Sequence, residues 1–187
     1  MNVPEPNAAV RGDLLLSIAR ASIARRFGLW FETDEQAHFL RDPAASFVTL
    51  TQEGRLRGCI GSLQAHRSLL EDVRQNAIAA AFQDPRFPPL PAQEFVATRI
   101  EVSVLSPLTP MDFADEDEAL ARLRPGIDGV VLVCDQRRGT FLPQVWDSLP
   151  SPRQFLGELK RKAGLPADFW SERVSLFRYE VTKWREQ

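Results

Sequence analysis

One order of patterns occurs twice along this chain, and it limits the folds available more than any single motif does. In the first series FVTLT (47–51) is followed by the turn QEGR, by LRGCIGSL (56–63), by SLLEDVRQNAIAAAF and by RIEVSVL (99–105). In the second, GVVLVC (129–134) is followed by DQRRG, TFLPQV (140–145), SPRQFLGELKRKAGL and RYEVTKW (178–184). Each series reads as hairpin, helix, strand: β-rich runs joined by tight turns, an amphipathic stretch, and a closing β-rich run. Corresponding landmarks lie about 79 to 84 positions apart, and the closing runs share Arg-x-Glu-Val followed by Ser or Thr. Agreement of order and local residues points to an internal duplication. The rival account is that hairpin–helix–strand is a common motif met twice by chance.

The implied fold class is α+β: a single compact unit of two pseudo-repeated halves, about 47–105 and 129–184. Its sheet is largely antiparallel, with helices packed on the faces. No long linker separates the halves, so residues 1–187 read as one domain.

Helix ends are marked by residue chemistry. GDLLLSIARASIARRFG, about 12–27, repeats Leu16, Ala19, Ile23 and Phe27 at helical spacing, and Gly28 can close it. Ser68 three residues ahead of Glu71 forms a capping-box pattern, and the prolines of DPRFPPLP stop that helix near Phe82. DEDEALARL has acids in its first turn, and Ser151-Pro152 opens a last helix that ends near Gly164.

Composition narrows the function classes. The net charge of −2 argues against a general nucleic-acid binder, which would carry a basic surplus. Hydrophobic residues at 44% with 26% charged are ordinary for a globular chain, and no apolar run approaches the roughly 20 residues of a membrane span. The start MNVPEPNAAV has prolines and an acid where a signal peptide needs basic and then apolar residues, so a cytoplasmic protein is expected. Two cysteines and two histidines give neither a disulfide framework nor a zinc motif. Phosphate loop, dinucleotide fingerprint, nucleophile elbow and HExxH motif are all missing, and the sequence names no cofactor.

Three segments carry candidate chemistry. In LRGCIGSL, Cys59 stands between Gly58 and Ile60-Gly61, with Arg57 on the same face if the strand is regular. The glycines leave room for a ligand near the backbone, and a nearby guanidinium favours thiolate, so Cys59 is a candidate nucleophile or redox centre. Against this, free cysteine is among the most buried residue types, and small residues sit where helices cross sheets closely. The rigid, proline-bounded loop at Asp84, Arg86, Phe87 and Pro88 suits recognition. It could equally be a helix stop, with Arg86 paired to Asp84 or to a strand carboxylate, and Phe87 plugging the core. Pro143 and Gln144 in LPQV, opposite RGCIG in the proposed duplication, read as a broken sheet edge with an exposed amide. Glu101 with Arg99, and Glu180 with Arg178, read as a symmetric pair of surface ion pairs. Cys134 reads as core.

LRGCIG, DPRFPPL, a strand ending in VLSPL, then GTFLPQVWD and LKRKAGLPADFW together resemble the AMMECR family, whose prokaryotic members are called AmmeMemoRadiSam system protein A. The resemblance spans about residues 12 to 185. It implies an α+β fold of two related subdomains and no established activity. It also implies association with a Memo-type or radical-SAM protein partner. The family motif falls on Arg57–Gly61, on Asp84, Arg86, Phe87 and Pro88, and on Leu142–Val145. The stretch between LPQV and the following helix is shorter here than in many relatives, which puts contacts of that loop in doubt.

The preferred reading is a binding module for a small ligand or a partner segment, with a groove between the halves lined by RGCIG, DPRFPP and LPQV. An enzyme using Cys59 is the second reading, and an adapter for a Memo-type or radical-SAM partner the third.

Overall fold

The computed structural model describes residues 7–187. In chain order its regular elements are α1 (Ala8–Arg25), β1 (Ala45–Gln52), β2 (Arg55–Gly61), α2 (Leu69–Phe82), α3 (Ala92–Phe95), β3 (Arg99–Leu105), β4 (Thr109–Pro110), α4 (Glu116–Arg122), β5 (Gly129–Cys134), β6 (Arg137–Phe141), α5 (Pro152–Lys162), β7 (Val174–Tyr179) and β8 (Val181–Arg185). The chain divides into two compact units: the residues up to Leu105 with Thr182–Gln187, and Ser106–Val181. Each is α+β around its own four-stranded sheet, the class the sequence implies.

In the first unit the sheet order is β2-β1-β3-β8. Glu53 and Gly54 both take positive φ, the two-residue geometry that matches strand twist and closes the β1–β2 hairpin. Val48, Leu50, Ile100 and Val102 are wholly buried and form one core with α1 and α2. Phe47, Thr49, Cys59 and Glu101 belong to the opposite face, because strand side chains alternate.

The second unit repeats this scheme as β6-β5-β7-β4. Its core gathers Val130, Leu132, Val174 and Leu176 with Phe155, Leu156 and Leu159 of α5. Trp146 stacks on Phe155 with ring centroids 3.7 Å apart, and its indole N–H donates to the Asp128 carbonyl at 2.7 Å.

The repeat is real in topology, but its register corrects the sequence alignment. Leu50 lies between Gly58 and Ile100, just as Leu132 lies between Gly139 and Leu176. The counterpart of RGCIG is therefore RGTFL, with Thr140 at the position of Cys59, and not LPQV. By the same register Arg99 matches Ser175, so the shared Arg-x-Glu-Val string is three residues out of step. Arg178 and Glu180 stand where β7 ends and the chain turns into β8, which joins the other sheet.

Helix ends follow the sequence with local differences. α1 begins at Ala8, where the Asn7 side chain accepts from the Val10 amide, so Gly12 lies inside the helix and does not open it. A methyl group at Gly12 would collide with the Trp184 ring, so the missing side chain is a seat for that indole. Ser68 caps α2 through the Glu71 amide, but Glu71 bonds Gln75, leaving half a capping box. Ser151 precedes α5 without a side-chain cap.

Candidate functional site

β2 is the edge strand of the first sheet, and an edge leaves alternate main-chain groups unpaired. At Cys59 both are taken by side chains of the proline-rich loop. The Cys59 amide donates to Asp84 Oδ2 at 2.8 Å, and an Arg86 Nη donates to the Cys59 carbonyl at 3.1 Å. Asp84 and Arg86 thus stand in for a fifth strand at one residue.

The loop is held as tightly as it holds. Arg86 donates to Asp84 Oδ1 through its Nε at 3.0 Å and its main-chain amide at 3.1 Å, and to Oδ2 through Nη2 at 2.7 Å. These bonds, led by those from the guanidinium and aided by the Cys59 amide, outweigh burial and hold the Asp84 carboxyl well below the usual carboxylate range. The Asp84 side chain is 2% exposed and that of Arg86 54%. Arg86 also lies 5.6 Å over the Phe87 ring, which is half-buried and outside the core. Of the two structural roles weighed for the loop, the Asp84–Arg86 pair is present and the Phe87 plug is not.

Arg57 is the extra residue of a β-bulge, since Leu50 pairs with Gly58 and Thr51 with Leu56. Bulges re-aim side chains. The Arg57 guanidinium bonds Glu94 at 3.0 Å and the Pro88 carbonyl at 3.0 Å, so its hydrogen bonds serve the loop and α3. Gln52 and then Arg57 lower the Glu94 pKa, against a small opposing effect of burial.

The two glycines beside Cys59 are explained by packing. A side chain on Gly58 would collide with the Ala80 carbonyl of α2, and one on Gly61 with the Phe47 ring. Ala77, Ala80 and Ala81 are buried, so small residues on both sides let the helix approach the strand closely. Ile60 packs on the same core. Cys59 is half-buried, with its sulfur 3.3 Å from the Thr49 hydroxyl directly across the ladder. Thr49 also pairs with Glu101, which bonds Arg185 at 2.7 Å and 3.1 Å. Glu101 therefore pairs with Arg185 and Glu180 with Arg124, in place of the symmetric Arg99 and Arg178 pairs that the sequence implies.

LPQV is a 3₁₀ turn, Pro143–Asp147, and not part of a strand. The Val145 amide returns to the Leu142 carbonyl at 3.0 Å, and Gln144 is exposed. Pro143 fits because the first helical position needs no donor. These residues belong to the second unit, Cys59 and the proline loop to the first.

A polar cluster that the motif search missed lies beneath the sheet's edge. The wholly buried Asp72 accepts from the Ser46 amide and hydroxyl at 2.7 Å and 2.6 Å, from Asn76 at 2.8 Å, from Ser62 at 2.7 Å and from Arg67 at 2.9 Å. A carboxylate so fully satisfied pins α2 to β1 and to the segment after β2. Its trace in the sequence is Asp72 and Asn76, one turn apart on the face that also carries Leu69 and Val73.

Among the described residues no His, Cys, Asp and Glu side chains group to hold a metal ion, and no helix is long and apolar enough to cross a membrane. Comparison with known proteins adds the following. The model of the AMMECR1 family matches residues 16–184. A protein of Methanothermobacter thermautotrophicus is 35% identical over 159 residues, covering 82% of this chain and 81% of its own. One of Thermotoga maritima is 36% identical over 164 residues, covering 86% and 89%. The crystal structure of the uncharacterized protein PH0010 from Pyrococcus horikoshii matches with a TM-score of 0.75 at 31% identity, covering 94% of this chain and 91% of that one.

Proposed function

This chain belongs to the AMMECR1 family, and we propose that it is a binding module whose recognition surface is the loop Asp84–Pro89 with the adjoining Cys59 edge of β2. The observation that carries this reading is the double clamp at Cys59: Asp84 on its amide, Arg86 on its carbonyl. A loop already fixed in this way loses little further entropy when a partner binds. What it presents is a half-exposed guanidinium lying on a half-buried aromatic ring, flanked by exposed prolines. Arginine and aromatic side chains of this kind are the usual anchors of protein interfaces. The clamp also blocks strand addition at Cys59, so recognition runs through side chains. The partner class that the family resemblance implies is a Memo-type or radical-SAM protein.

The test is native co-purification of the chain with Memo-type and radical-SAM proteins of the same genome. The wild type should retain one of them at micromolar protein, Phe87→Ala should lose it, and Cys59→Ser should keep it. No retention by the wild type overturns the reading.

The thiol reading has one observation in its favour: Cys59 is not a fully buried residue, and the charged Arg86 bonds its carbonyl. A partner lost in Cys59→Ser and kept in Phe87→Ala would favour it over the binding module.

A further inference from the structure

In the second unit a cavity of about 750 Å³ lies between the segment from β4 to α4 and the run that leads into β7. That volume is in the range of small-molecule sites, about 300–1,000 Å³. Two of its walls are aromatic: Phe113 and Trp170 stand 5.6 Å apart between centroids with their planes tilted by 53°. Its charged lining is of one sign, from Asp112, Asp115 and Glu172, with neither lysine nor arginine among the lining residues.

The state of those carboxylates decides what the cavity can take. Asp115 spends one oxygen on the Glu118 amide at 2.8 Å, capping α4. Asp112 and Glu172 make no hydrogen bond or ion pair with the described residues. Two neighbouring cations are already paired: Lys160, which lies over the Trp170 ring at 5.3 Å from its centroid, is buried against Glu116 at 2.6 Å, and Arg173 pairs with Asp135 at 2.6 Å. The acids do not converge closely enough for a metal ion. Dispersed negative charge beside aromatic faces matches a cation with an apolar body, because the π-face attracts positive charge and the rings shelter the hydrocarbon.

We propose that this cavity binds an alkylguanidinium or alkylammonium group, held against Trp170 and Phe113 with Asp112 and Glu172 as counter-charges. This site is independent of the proline loop and of the function proposed there. Such a group is offered both by a free small molecule and by an arginine or lysine side chain of a peptide, so the experiment uses one probe of each kind.

The full chain, labelled with nitrogen-15, is titrated with agmatine and with a blocked Gly-Arg-Gly tripeptide, following the Trp170 indole and Phe113 amide resonances. Neutral butyramide is the control. Saturable shifts at those two residues with either cation, and none with butyramide, are the expected result. Tighter binding of agmatine assigns the site to a free molecule, and tighter binding of the tripeptide to a side chain. The double variant Asp112→Asn, Glu172→Gln changes two exposed side chains, and its folding is read from the rest of the same spectrum. It should weaken binding by about tenfold or more. Absence of saturable shifts up to about 10 mM cation, or equal affinity in the double variant, overturns the proposal.

Discussion

The carboxylate of Asp84 accepts the main-chain amide of Cys59 at 2.8 Å, 25 residues away in sequence, and so satisfies an outward amide of an edge strand without another strand. Removing it in Asp84→Ala orphans that amide and leaves the Arg86 guanidinium with only the Cys59 carbonyl as a partner. Because Arg86 can turn to water, the cost falls short of that of a fully buried broken pair, at about 2–3 kcal/mol. Urea unfolding of the two proteins at neutral pH measures it.

The same bond makes stability acid-sensitive in a defined direction. The Asp84 pKa is depressed in the folded state, chiefly by hydrogen bonds from Arg86. Its contribution is therefore complete above the unfolded carboxyl value of about 4 and is lost as pH falls below that toward the folded value. The gap in urea midpoint between wild type and Asp84→Ala should be constant from neutrality down to about pH 5 and shrink below about pH 4. A gap that widens on acidification would contradict this assignment.

Gly58 and Gly139 occupy equivalent positions in the two sheets but differ in the room above them. A methyl at Gly58 strikes the Ala80 carbonyl of α2, a backbone atom that cannot step aside. At Gly139 the nearest atom is the Leu159 carbonyl oxygen at 3.0 Å. Gly58→Ala should cost about 1–3 kcal/mol or more, and Gly139→Ala, whose methyl would be crowded but not overlapped, should cost less. Thermal unfolding of both variants checks the order.

The two thiols should separate cleanly. Cys59 is half-buried and Cys134 is 2% exposed. Iodoacetamide should modify Cys59 and spare Cys134 in the folded protein, and modify both in urea, read by mass spectrometry of peptides. Cys59→Ser keeps a polar atom beside Thr49 and should change stability by less than about 1 kcal/mol.

Much of this architecture is legible in the amino-acid string because patterning and turn chemistry agree at each step. Alternating apolar runs, Ser68 ahead of α2 and the prolines behind it all say the same thing, and the structure follows them. Register was harder. The likeness between Arg99–Ser103 and Arg178–Thr182 is real as text, but cross-strand pairing, which no string of letters displays, matches Arg99 with Ser175. The better clue was the Arg-Gly shared by RGCIG and RGTFL, where each glycine admits a helix.

The sequence names the candidate residues, but where their side chains reach was not legible in it. Arg57 reads as a neighbour of the sulfur only if β2 is regular, and a bulge at that residue gives its guanidinium to Glu94 and Pro88 instead. LPQV reads as a strand edge, but it opens a 3₁₀ turn whose Trp146 stacks on Phe155. Asp72 escaped because the four residues that bond it come from β1, from the stretch after β2 and from α2 itself.

β8 supplies the fourth strand of a sheet whose other three are complete by Leu105, and Glu186 just beyond it bonds Arg20 at 2.5 Å through each carboxylate oxygen and the Ile100 amide at 2.9 Å. During synthesis the earlier three strands leave the ribosome first and then wait while the whole of Ser106–Val181 is made. For that interval β3 offers a bare flank to any passing extended chain, and a nascent-chain chaperone would find its opening there.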